Sequence, residues 1–163
     1  MPDRSDIITA VSHGTISPLR AAAQYTHHLA ADPATRAVGA VGLIAVGIIH
    51  ALEIPGQLSG AVWLTTGFCL LAVVAPIAGL WLLVWPAALA WQLGGLLCLL
   101  TGAGYVLTRS VPMPGDPGDV GNWLEPLGVA ALITEGIVVI LAGLALAGRT
   151  RACAAPARPT ISE

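Results

Sequence analysis

IPGQLSGAVWLTTGFCLLAVVAPIAGLWLLVWPAALAWQLGGLLCLLTGAGYVLT, residues 54–108, runs from Glu53 to Arg109 without one charged side chain. A helix rises ~1.5 Å per residue, so this stretch would be far longer than the ~30 Å hydrocarbon core of a bilayer. It must therefore turn back once. The turn belongs at Trp81-Leu-Leu-Val-Trp85-Pro86, since Trp favours membrane interfaces and Pro the first turn of a helix. This predicts spans over 60–82 and 86–108. Two further apolar stretches, 37–55 and 126–148, flank them and complete an all-α integral membrane bundle of four helices.

Composition agrees with that reading. The 163 residues are 56% hydrophobic and 10% charged, against about 25% charged for a soluble domain. The basic residues are seven Arg and no Lys. Arg4, Arg20 and Arg36 precede the first span, Arg149, Arg151 and Arg158 follow the last, and Arg109 alone lies between. The positive-inside rule then places both termini in the cytoplasm of a multi-pass plasma-membrane protein. The 53–59 and 109–125 connections face outward, the second carrying Asp116, Asp119 and Glu125. The first 36 residues lack an apolar core of the kind a cleaved signal peptide needs. Within them, 17–32 forms at most a short helix with a weak apolar face (Leu19, Ala22, Thr26, Leu29) along the membrane surface. Residues 149–163 read as a disordered cytoplasmic tail.

Each span carries a stripe of small or polar residues at helical spacing. The stripes are Gly39, Gly42, Val46, His50 and Glu53 in the first, with Gly47 beside them, and Ala61, Thr65, Cys69, Ala72 and Gly79 in the second. The third has Trp91, Gly95, Cys98, Gly102, Tyr105 and Thr108, with Thr101 alongside, and the fourth Gly128, Ala131, Glu135 and Ala142. Helices in lipid associate through small residues and turn polar groups toward one another, so the stripes predict one compact bundle. Pro76 is expected to kink the second span and free the carbonyl near Ala72.

The ionisable residues within the spans call for a different account. Glu135 lies near the middle of the last span, where an acid costs roughly 2.5–3.5 kcal/mol on insertion scales, which makes it a functional candidate by default. His50 sits one turn inside the outer end of the first span, with Glu53 three residues on and on the same face. Tyr105 and Arg109 end the third span at that level, and Trp123 and Glu125 open the fourth. His50, Glu53, Tyr105, Arg109, Trp123, Glu125 and Glu135 are therefore expected to line one outward-facing polar pocket. A structural reading has His50 bonded to Glu53 and Arg109 paired with Glu125, or Glu125 capping the last helix beside Pro126. A second has His50, Glu53 and Glu135 holding a divalent metal, with Glu125 or Asp119 completing its shell. A third is a proton or substrate relay. The Pro- and Gly-rich segment 112–121 is expected to fold over the pocket as a lid.

Other functions are excluded by what the chain lacks. Without Lys there is no retinal Schiff base. A single His within the spans argues against bis-His haem in a monomer. The three Cys form neither a disulfide framework nor a C-x-x-C pair. There is no basic patch for nucleic acid, and no phosphate loop, nucleophile elbow or H-E-x-x-H motif. Polarity confined to the outer half, with Gln92 the exception, argues against an open pore.

Gly104-Tyr-Val-Leu-Thr-Arg109, then Pro114-Gly115, then Gly121-Asn-Trp-Leu-Glu125-Pro-Leu-Gly128 resemble small four-helix membrane proteins of high-GC, actinobacterial-type bacteria, over about residues 37–148. The resemblance implies the four-helix topology and a His near the outer end of the first span, and carries no established activity. After that His this chain has Glu53-Ile-Pro-Gly where such proteins are more acidic, which weakens a multi-acid metal site. Three functions remain open from the sequence. The first is a non-enzymatic protein that binds or moves a small ligand or cation. The second is an accessory subunit that packs against a larger membrane complex, a reading that recovery of a lone protomer or homo-oligomer would count against. The third is a metal- or cofactor-dependent enzyme acting on a lipid or quinone.

Overall fold

The computed structural model describes residues 8–9, 32–58, 60–85, 88–115 and 117–153, with side chains described as far as 147. Four long helices make up nearly all of this: α1 (Pro33–Gln57), α2 (Val62–Val84), α3 (Ala88–Ser110) and α4 (Pro126–Cys153). Each is long and apolar enough to cross a membrane. The expected surface helix at 17–32 and the end of the expected tail, 154–163, lie outside the described residues.

The helix ends follow local chemistry. Asp32 caps α1, its carboxylate accepting the backbone N–H (2.8 Å) and hydroxyl (2.9 Å) of Thr35, and Pro33 occupies the first turn. These bonds hold the Asp32 carboxyl below its ordinary value. Pro55 lies in the last turn of α1, and the Gln57 carbonyl that ends the helix accepts bonds from the Thr65 hydroxyl (2.7 Å) and the Gly60 N–H (3.0 Å). At the other end of α2, Arg36 donates from Nε to the Leu82 carbonyl at 2.9 Å and from Nη2 to that of Leu83. A cation there satisfies carbonyls that have no partner within the helix. Trp85 is the extended residue that ends α2, as the sequence leads one to expect. The backbone of α4 runs on to Cys153, past the expected limit at 148.

The helices form an up-down-up-down ring. α1 packs most extensively on α2 and α3 on α4, α1 and α4 close the ring, and α2 and α3 touch least. Small residues set the close approaches. A Cβ added at Gly79 would stand 2.8 Å from the Ala40 carbonyl oxygen, and one at Gly47 2.5 Å from the Pro76 ring. The ring of Pro76 thus fills the notch that Gly47 leaves, so the proline expected to bend α2 also docks it on α1. Trp91, Leu43, Leu82, Val46, Val138 and Cys98 form the buried centre of the half away from the α1–α2 and α3–α4 connections. One expected stripe residue faces out: Cys69 is exposed, because α2 turns that side away from α1. Large apolar side chains cover the outside of all four helices, among them Val41, Ile77, Leu99 and Ile140.

Candidate functional site

At the end carrying the α1–α2 and α3–α4 connections, called the mouth here, the four helices separate around a pocket of about 750 Å³. Six of the seven expected site residues line it: His50, Glu53, Tyr105, Arg109, Glu125 and Glu135. Trp123 stands at its edge, its ring edge-on to Tyr105 with centroids 6.3 Å apart and its carbonyl accepting the Tyr105 hydroxyl at 2.9 Å.

The pairings inside differ from those the sequence favoured. His50 does not engage Glu53. Its Nδ1 lies 2.9 Å from the Val46 carbonyl one turn back, and its Nε2 lies 3.9 Å from Glu135 Oε1 on α4. One close approach brings α1 and α4 together. A Cβ at Gly42 would meet the Val138 side chain at 2.7 Å, and Glu135 is one turn from Val138 on the same face. A carbonyl oxygen only accepts, so Nδ1 carries a proton, and when the ring is neutral Nε2 presents a lone pair toward Glu135. Phe68 of α2 stacks edge-on against the imidazole at 5.2 Å. Both His50 and Glu135 are buried, at 3% and 2% exposure, and Glu135 Oε1 has no hydrogen-bond partner among the described residues.

Arg109 pairs with Asp119 rather than with Glu125. The loop after α3 makes this possible. Gly121, at φ +82°, donates its N–H to the Arg109 carbonyl at 2.9 Å, and the short 3-10 turn Pro117–Asp119 carries the carboxylate back over the guanidinium. The guanidinium also sits 4.8 Å from the Tyr105 ring centroid. Its Nε is buried and unpartnered. Glu125 is the N-terminal cap of α4, accepting the backbone N–H of Leu127 at 3.0 Å and that of Gly128. Capping was one of the two structural roles the sequence offered for it. Among the described residues no hydrogen bond or ion pair engages Glu53, which is half-buried and faces the same cavity. Among the described residues, no group of three or more His, Cys, Asp or Glu side chains could hold a metal ion, so His50, Glu53 and Glu135 do not form the expected ligand set.

The 111–125 segment closes part of the mouth. Trp63 of α2 donates its indole N–H to the Pro114 carbonyl at 3.0 Å, and Gly115, at φ +84°, rests against Ala61. The opposite wall is apolar. Leu64, Leu71 and Leu97 line it, and Leu70 and Leu100 both line the pocket and are exposed, at 60% and 63%. The cavity therefore opens sideways between α2 and α3, where the ring is least packed.

Sequence reasoning missed Phe68, Trp63 and the Asp119 partner. Phe68 is the single Phe of the chain, and it stands three residues from Thr65 on a face already marked as polar; that register was the available signal. No family model, curated protein or solved structure matches this chain. The geometry alone therefore carries the functional argument.

Proposed function

We propose that this chain is a multi-pass plasma-membrane protein, both termini cytoplasmic, whose pocket opens outward and binds or moves a small ligand or cation. The apolar exterior of four bilayer-length helices supports insertion, since so large an exposed apolar surface suits lipid and not water. Arginine placement supports the orientation. One observation carries the binding role. A buried carboxylate oxygen, Glu135 Oε1, has no partner among the described residues while lining a cavity of ligand size. An unsatisfied buried acceptor costs about 1–3 kcal/mol, more when charged. A structural carboxylate would have been given its donors by the fold, as Glu125 and Asp119 were.

Glu135→Gln is the test. It keeps the shape and removes the charge. Native mass spectrometry of protein extracted in mild detergent should show a small molecule retained by the wild type and lost from the variant, with the two melting within a few degrees of each other. Equal retention, or a variant that fails to fold because the carboxylate was structural, would refute the reading.

A further inference from the structure

Resting on the binding role just proposed, the chemistry of the pocket narrows its ligand. The mouth holds four carboxylates and one guanidinium. Asp119 is spent on Arg109, and Glu125 on the first turn of α4. Glu53 and Glu135 remain, facing one cavity; Arg109 acts on Glu53 only through space, and the nearest basic group to Glu135 is His50 at 3.9 Å among the described residues. Beside them stands His50, whose Nδ1–H is committed to the Val46 carbonyl, so that Nε2 and Glu135 Oε1 are two acceptors facing each other. Their separation of 3.9 Å is too long for a direct hydrogen bond. A donor atom about 2 Å off the line between them lies at ordinary hydrogen-bond distance from both, and the Glu135 carboxyl, whose Oε1 is buried, turns toward the cavity to admit it.

A partner that donates two hydrogen bonds satisfies both acceptors, and one that also carries positive charge suits the two carboxyl groups facing the cavity. A metal ion is poorly served, because no third His, Cys, Asp or Glu among the described residues joins the pair. Away from the mouth's polar residues the pocket is mostly apolar, with Phe68, Leu71 and Leu97 as its walls, Thr101 among them, and an opening between α2 and α3 onto the apolar outer surface. We infer that the ligand is an apolar organic cation bearing N–H donors, a protonated primary or secondary amine. Its nitrogen bridges His50 Nε2 and Glu135 Oε1, and its hydrocarbon body lies against the α2–α3 wall. It reaches the site sideways, from the bilayer.

Four probes of one skeleton separate charge from donors: 4-phenylbutylammonium, its N,N,N-trimethyl derivative, 4-phenylbutanol and 4-phenylbutyrate. Binding to the full-length protein in lipid nanodiscs is read from Trp fluorescence, since Trp63 lines the mouth. Gly67→Trp is the blocking control. A Cβ at Gly67, which lines the pocket, meets nothing within 4 Å, so the new ring fills the cavity without disturbing the helix. The primary ammonium should bind saturably and at least tenfold more tightly than the other three. Glu135→Gln should erase that preference and Gly67→Trp should abolish binding. If the alcohol, the carboxylate or the quaternary ion binds as tightly and Gly67→Trp still blocks it, the pocket reading survives and the amine assignment falls. Absence of saturable binding by all four probes, or binding that Gly67→Trp leaves unchanged, overturns both.

Discussion

Arg109 shows how one side chain can be assigned a partner by chemistry and given another by topology. Opposite charges at the same depth recommended Glu125, which opens α4 across the loop. The structure gives Glu125 to the helix N-terminus, where the backbone N–H groups of Leu127 and Gly128 hold it, and gives Arg109 to Asp119. Asp119 lies ten residues after Arg109, across a Pro- and Gly-rich loop, and the 3-10 turn and the Gly121–Arg109 backbone bond bring them together. Spacing along the chain does not encode that return. A double-mutant cycle distinguishes the two assignments. Arg109→Met and Asp119→Asn should each lower unfolding stability by about 1–3 kcal/mol, the cost of stranding a partly buried charged partner. Their coupling energy should be about 1 kcal/mol or more, as for side chains in contact. The cycle between Arg109→Met and Glu125→Gln should couple much more weakly. A larger coupling to Glu125 than to Asp119, measured by thermal or denaturant unfolding in detergent, would reverse the assignment.

The helices themselves were the most legible part of the chain, because the uncharged stretch and Trp85-Pro86 leave so little freedom in where to turn. Their faces were legible through the small-residue stripes, apart from Cys69, since the same residues that permit close approach also mark the inside. Which helix meets which was not. His50 and Glu135 were each placed at a depth, but their meeting depends on the register of α1 against α4, fixed by Gly42 beneath the Val138 side chain. That is a tertiary fact with no local signature. The glycines also differ in ways a stripe cannot reveal. Gly79 faces the Ala40 carbonyl, whereas Gly104 faces open space within the pocket. Backbone cannot step aside as a flexible side chain can. Gly79→Val should therefore force α1 and α2 apart and cost about 1–3 kcal/mol, the usual range for overpacking. Gly104→Ala should leave stability nearly unchanged. Melting curves of the two variants settle it, and equal stability for Gly79→Val and wild type would show that the α1–α2 contact is looser than the structure has it.

At the scale of the whole molecule the two ends of the bundle are chemically unlike. The end beyond the pocket is closed by Trp91, Leu82 and Leu43, with Arg36 capping α2 at its rim. The mouth gathers every buried His, Arg, Asp or Glu side chain among the described residues: His50, Arg109 and Glu135. In a membrane, a bundle with this polarity would set its mouth at one face, so orientation would decide from which side and leaflet the pocket takes its ligand. The proposed orientation, read from the arginine distribution, faces the mouth outward, and a single-cysteine experiment tests it directly. With Cys69, Cys98 and Cys153 replaced by Ala, Gly118→Cys puts a thiol on the exposed 3-10 turn beside the mouth, where a Cβ meets no neighbour within 4 Å. Ala34→Cys puts one on the exposed first turn of α1, at the opposite end. In intact cells a membrane-impermeant maleimide should label position 118 and spare position 34 until the membrane is opened. The reverse pattern would turn the pocket to the cytoplasm, and the amine would then be a compound made or held within the cell.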